Sequence, residues 1–269
     1  MAIIKGAIQM TGSIKGVTFY TRRGSDQVIM RTKGGVSKDK INRLPQFEGM
    51  RLQQKEWSGC TKFASGVRTA FGGLHRLADY NMSSVLNGIG NKLQKLDTTH
   101  EKGKRPVCLS NLKMALDGFN FNRNYPFNTV LRVTTNFEIN RDTLQAMVTI
   151  PRINTEIDLL NIQRLPFFRI IVVLGTASDI IYNSNLNDYI PMVEGLNGTA
   201  AVKKSDWFSA NSIVEEQTLT VQIIDRQLAL ITDNVSAILS IAVEFGTVGF
   251  TGAPVEVKYA GCAKVLKVV

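Results

Sequence analysis

Residues 129–139 read Thr-Val-Leu-Arg-Val-Thr-Thr-Asn-Phe-Glu-Ile, residues 145–150 read Gln-Ala-Met-Val-Thr-Ile, and residues 167–174 read Phe-Phe-Arg-Ile-Ile-Val-Val-Leu. All three have the β-branched and aromatic texture of strands. Residues 218–224, 237–245, 255–259 and 263–269 continue it, with Asn, Asp, Gly and Pro between them. Six or seven strands without long intervening helices argue for an antiparallel β-sandwich over residues 107–269. The last of them is apolar to its end, so it is expected to be buried or docked on a partner.

Upstream the pattern changes. Phe47, Met50, Trp57, Cys60, Ala64, Val67 and Phe71 trace one helical face, with Pro45 just before it. Gly72-Gly73 interrupts, and Leu74, Leu77, Ala78, Val85, Leu86, Ile89, Leu93 and Leu96 trace a second face, which predicts a helical hairpin over residues 41–106. A polar connector at residues 97–106 sets a domain boundary, and residues 109–116 read as one more short helix. The first 40 residues read as an extended arm. Residues 17–21 (Val-Thr-Phe-Tyr-Thr) and 27–32 (Gln-Val-Ile-Met-Arg-Thr) form a β-hairpin across a turn at residues 22–26, with glycines at 6, 12 and 16 before it. The expected fold class is therefore α+β: a basic β-hairpin arm, a helical hairpin, then the sandwich.

The chain has 269 residues and a formal charge of +10. Residues 1–110 hold 19 Lys+Arg and 7 Asp+Glu, whereas residues 111–269 hold 13 and 15, so the excess positive charge is N-terminal. That asymmetry suits a polyanion or an acidic subunit surface. No apolar run of about 18 residues predicts a membrane span. The N-terminus has no signal-peptide core, which sets a cytoplasmic expectation on synthesis. Cys60, Cys108 and Cys262 are scattered without a CxxC pair, so neither a disulfide framework nor a zinc module is expected.

Motifs for chemistry are missing. Asn87-Gly-Ile-Gly-Asn91 lacks the Lys and the preceding strand of a phosphate-binding loop. Glu156/Asp158 and Glu215/Glu216 are sequence neighbours and read as solvated strand ends rather than a catalytic pair. His75, beside Arg76, reads as a surface residue. The reading is of a non-enzyme with no catalytic residue, metal or cofactor. The functional signal is the basic cluster Arg22, Arg23, Arg31, Lys33, Lys38, Lys40 and Arg43, near Phe19, Tyr20 and Phe47.

The cadence Gly12-Ser-Ile-Lys-Gly-Val-Thr-Phe-Tyr20, the Arg-Arg-Gly turn, Val28 to Arg31 and Thr32-Lys-Gly-Gly-Val36 resembles an uncharacterised family of Bacteroidetes-type bacteria, their phages and integrated elements. Asn42-Arg-Leu-Pro-Gln-Phe47, the basic helix to Phe71 and Asp117-Gly-Phe-Asn-Phe-Asn122 fit the same pattern. The resemblance covers about the first 70 residues and implies a context in which structural proteins are common; it carries no activity.

The leading expectation is a self-assembling structural subunit of a virion, tail or filament, a homo-oligomer or a partner of other structural subunits, with no membrane. Phe19, Tyr20, Arg22, Arg23, Ile29 and Arg31 would make subunit contacts, the arginines pairing with acids such as Glu215 or Glu216. The alternative is a nucleic-acid-associated protein that binds phosphates through residues 15–68, with Lys33, Lys38, Lys40, Arg43, Arg51 and Lys55 as contacts. Third stands a carbohydrate-binding sandwich, with Trp207 and Phe208 as its platform.

Overall fold

The computed structural model describes residues 2–4, 11–21, 27–32 and 35–269. The chain divides into two compact units, Met1–Arg51 and Leu52–Val269. The expected boundary near residue 106 falls inside the second unit, and the division falls within a helix that spans Glu48–Ala70.

The first unit holds an antiparallel sheet of four short strands, β1 (Ala2–Ile4), β2 (Gly12–Ile14), β3 (Val17–Thr21) and β4 (Val28–Thr32), in the order β1-β4-β3-β2. β3 and β4 pair with Tyr20 opposite Ile29 and Phe19 opposite Met30. The expected turn at residues 22–26 lies outside the described residues, as does Gly6. A short helix α1 (Lys38–Arg43) follows, its N-terminus capped by the Ser37 hydroxyl. The Arg51 guanidinium donates to the carbonyls of Ile41 and Leu44 at 2.6 and 2.9 Å, closing the end of α1.

The second unit is built on one sheet. β8 (Phe167–Ser178) and β15 (Val235–Val248) pair along their length at its centre. β16 (Pro254–Val268) flanks β15, while β11 (Ala200–Lys204) and the short β12 (Phe208–Ser209) flank β8. The two central strands are buried almost throughout because both faces of the sheet are covered. Against one face pack side chains of a three-stranded sheet, β14-β6-β5, made of β5 (Asn136–Asn140), β6 (Gln145–Ile150) and β14 (Gln217–Gln222). Ala146, Val148, Leu219 and Val221 share a core there with Ile170, Val172, Leu239 and Ile241. Against the other face pack α2 (Glu48–Ala70) and α3 (Met82–Leu96): Phe63, Val67, Phe71, Leu86 and Leu93 share a core with Ile171, Val173, Ile238, Ala242 and Val265. α3 and α2 from Leu52 onward are thus part of the sheet's own unit. Gly175 permits the close approach; a Cβ there would lie 1.9 Å from the Ala70 carbonyl oxygen at the end of α2.

Small elements complete the order. α4 (Phe127–Val130), β7 (Ile153–Asn154), α5 (Thr155–Asp158) and β13 (Ile213–Val214) lie in the connections, and β9 (Ile180–Asn183) pairs with β10 (Asp188–Pro191). Four expectations need correction. Residues 129–139 are not one strand: Pro126 starts α4, which buries Phe127 and Val130 one turn apart, and pairing begins at Asn136. The second helical face is split, because Gly73 at φ +88° leads only a single turn, Leu74–Leu77, and Asn81 caps α3 afresh. Residues 110–115 form 3-10 turns rather than an α-helix. Residues 255–259 and 263–269 belong to one bulged strand, β16. That terminal strand is held inside the unit: its outer edge takes backbone hydrogen bonds at Ala263 and Val265 from residues 118–121.

Candidate functional site

Of the residues expected to contact subunits, Tyr20, Ile29 and Arg31 share one face of the sheet and Phe19 lies on the other. Phe19 and Tyr20 are adjacent in β3, so they point to opposite faces of the sheet. Tyr20 shares its face with buried Ile29, whereas Phe19 shares its face with Met30. Arg31 is exposed opposite Thr18, and Arg22, Arg23 and Lys33 lie outside the described residues.

The basic residues of the alternative reading divide. Lys38, Lys40 and Arg43 on α1 are exposed and make no ion pair among the described residues. Arg51 is used in closing α1. Lys55 donates to Asn187 Oδ1 at 3.0 Å and sits 4.0 Å from the Tyr182 ring centre. The aromatic platform is likewise engaged: the Arg169 guanidinium lies 4.3 Å over the Trp207 ring, and Phe208 packs on Phe168. Glu215 faces Arg152 at 3.6 Å. The Asp158 carboxylate accepts from the Asn154 backbone amide at 2.9 Å.

Two charge clusters were not foreseen. The first is centred on Glu244, which is 1% exposed. It sits opposite Arg169 in the β15–β8 register, and Arg169 reaches it through Nε at 2.7 Å and Nη2 at 2.5 Å. Arg76, from the turn after α2, binds the other oxygen. Glu256 on β16 bridges both arginines, at 2.8 Å to Arg76 and 3.0 Å to Arg169. Two guanidinium groups thus face two carboxylates, and their charges cancel beside an open depression of about 550 Å³. Arginine suits this place because its planar fork satisfies carboxylates in pairs.

The second cluster ties the 97–106 connector to the helices. Arg105 holds Glu56 through Nε and Nη2, each at 2.7 Å, and the Gly103 amide adds a bond at 2.9 Å. Burial alone would raise the Glu56 carboxyl, but these bonds and the charges of Arg105 and Lys102 outweigh it and hold it below the usual carboxylate range. Gln94 donates to the Arg105 carbonyl at 2.9 Å, and the Tyr189 hydroxyl donates to the same oxygen at 3.0 Å. Trp57, expected on the buried helical face, is exposed and lines the cleft of about 210 Å³ beside this pair.

Elsewhere, burial pushes the Asp179 carboxyl up even though Ser110 donates to it through its backbone amide and hydroxyl. Burial also raises Cys60 to about 11 and Cys108 and Cys262 to about 12. No group of three His, Cys, Asp or Glu among the described residues is placed to hold a metal ion. No helix of the described residues is long and apolar enough to cross a membrane.

The ion pairs of both clusters join residues 49 to 180 positions apart, so no local motif could announce them. The available signal was a charge inside an apolar strand: Arg169 in Phe-Phe-Arg-Ile-Ile and Glu244 in Ala-Val-Glu-Phe. Compared with known proteins, the chain matches no family model, no curated protein and no solved structure.

Proposed function

We propose that this protein is a non-enzymatic structural subunit that assembles through its basic N-terminal unit. One observation carries the reading. Among the residues of Met1–Arg51 whose side-chain burial is described (11–21, 27–32 and 35–51), only Val28 and Ile29 are buried, and α1 buries none. Two such side chains contribute about 3–6 kcal/mol. Ordering each strand residue costs about 1–2 kcal/mol of backbone entropy. A small sheet with so little core is stabilised by lying against another surface, here a neighbouring subunit. Its ten Lys+Arg against three Asp+Glu favour an acidic counterpart. Residues 52–269 serve in this reading as the subunit body, a β-sandwich with helices laid on its outer face. Virion, tail and filament subunits are the matching class.

Light scattering after size exclusion, with electron microscopy of the peak, tests it. The full chain is expected to form regular assemblies, and a chain lacking residues 1–36 to remain a small folded species by circular dichroism. An unchanged assembly size after the deletion overturns the proposal.

A second reading has its own observation: the exposed cations Lys38, Lys40 and Arg43 have no acid partner among the described residues, as a phosphate-binding surface needs. Replacing all three by Ala should abolish any duplex DNA affinity at low salt, measured by fluorescence anisotropy. No affinity in the unsubstituted chain at low salt removes this reading.

A further inference from the structure

The β15–β16 hairpin ends in an apolar tip. The last strand pair is Val248 with Pro254, and beyond it Gly249-Phe250-Thr251-Gly252-Ala253 turns the chain. Gly252, at φ +80°, supplies the left-handed residue of this turn. Phe250 is fully exposed, between two glycine-flanked positions with no large side chain to shelter it. It is not a lone surface apolar residue, since Val248 and Val255 beside it are also exposed.

Lower on the same hairpin lies a hole. The register jumps from Glu244–Gly261 to Gly246–Glu256, so residues 257–260 of β16 are looped out against one residue of β15. Tyr259 holds a positive φ of +64°, and Gly261 lies at +151° where a Cβ would meet the Val243 carbonyl oxygen at 2.3 Å. Strain of this kind persists where the surrounding structure imposes it. The bulge walls an open depression of about 220 Å³ whose apolar side is Val130, Leu160, Phe245 and Ala260 and whose polar side is Asp79, Asn122, Asn124 and Gln163, with exposed Tyr125 and Ile162 at its rim. A dry cavity of about 150 Å³ is enough for benzene. The depression is therefore of a size for a phenylalanine ring.

We infer that Phe250 of one copy docks into the depression beside the 257–260 bulge of a second copy. Knob and hole are both carried by this chain and match in size, and the apolar wall of Val130, Leu160, Phe245 and Ala260 suits a ring, which is the self-complementarity that copy-to-copy contacts need. The contact rests on the reading of the chain as a self-assembling subunit and adds a second contact, outside the N-terminal unit.

Sedimentation velocity over a range of concentrations tests it with the full chain, Phe250→Asp and Ile162→Trp. The first variant removes the knob; the second fills the hole from an exposed rim position and spares the fold. Each is expected to weaken self-association about ten- to hundred-fold. An equimolar mixture of the two should regain association limited to a pair, because one keeps the hole and the other the knob. A mixture with no regained association overturns the inference. So does full-chain assembly that survives Phe250→Asp; if that same assembly vanishes on deleting residues 1–36, the N-terminal contact stands and this one falls. Assembly that survives the deletion but is lost in Phe250→Asp supports this contact and overturns the N-terminal one.

Discussion

Replacing Glu244 by Gln should destabilise the second unit more than any comparable exposed substitution. The carboxylate is 1% exposed and binds two guanidinium groups. Arg169 is itself only 13% exposed, so its charge has little water to return to. Removing one member of a buried ion pair costs about 3–5 kcal/mol. Two features reduce that here. Glu256 still faces both arginines, at 2.8 and 3.0 Å. The Gln amide oxygen also keeps one acceptor in place. The expected loss is about 2–3 kcal/mol, or about 5–10 °C in Tm for a unit of this size. Glu256→Gln removes a carboxylate that is 47% exposed and should cost under about 1 kcal/mol. Urea denaturation followed by circular dichroism, with calorimetry alongside, measures both. The double variant should depart from additivity by about 1 kcal/mol, because the two acids share their arginines. A loss below about 0.5 kcal/mol for Glu244→Gln, or equal losses for the two acids, would refute the claim that the buried carboxylate anchors the cluster.

Two further predictions concern titration. The Glu56 carboxyl is held below its unfolded value, so its contribution is present above about pH 4.3 and is lost as pH falls through the depressed folded value. Asp97, held down to about 2 by Thr99 and His100 against the opposing effect of burial, acts in the same direction, whereas the raised Asp179 acts in the opposite one. Glu56→Gln should therefore narrow the difference in urea midpoint between pH 7 and pH 3; an unchanged difference would show that Arg105 and Gly103 do not hold the charge. Cys60 and Cys262 are buried with thiols raised to about 11 and about 12, so a thiol reagent at pH 8 should leave both unmodified in the native protein and label all three cysteines in denaturant. Rapid native labelling of all three would contradict that burial.

Much of the second unit was legible from local pattern. Residues 145–150 form β6 as read, and residues 167–174 and 237–245 lie within β8 and β15, because β-branched runs bounded by turn residues have few other ways to bury themselves. Misreadings came where one residue's context decided: Pro126 converts the start of a strand pattern into a helical turn, and Gly73 ends a helical pattern that its apolar spacing would continue. The 257–260 bulge left no trace in the apolar count, because its extra residues read as a gap between two strands.

Composition and periodicity by themselves determined that this chain has a basic N-terminal region, two amphipathic helical faces and a strand-rich C-terminal half. Those properties are set by residues near one another in the chain. Only the tertiary structure decided that the helices and the three-stranded sheet cover opposite faces of one central sheet. It alone placed Glu244 between Arg76 and Arg169, and set a hole below the Phe250 knob. Each of those depends on which distant strands become neighbours, a choice made by the packing of the whole core rather than by any local pattern.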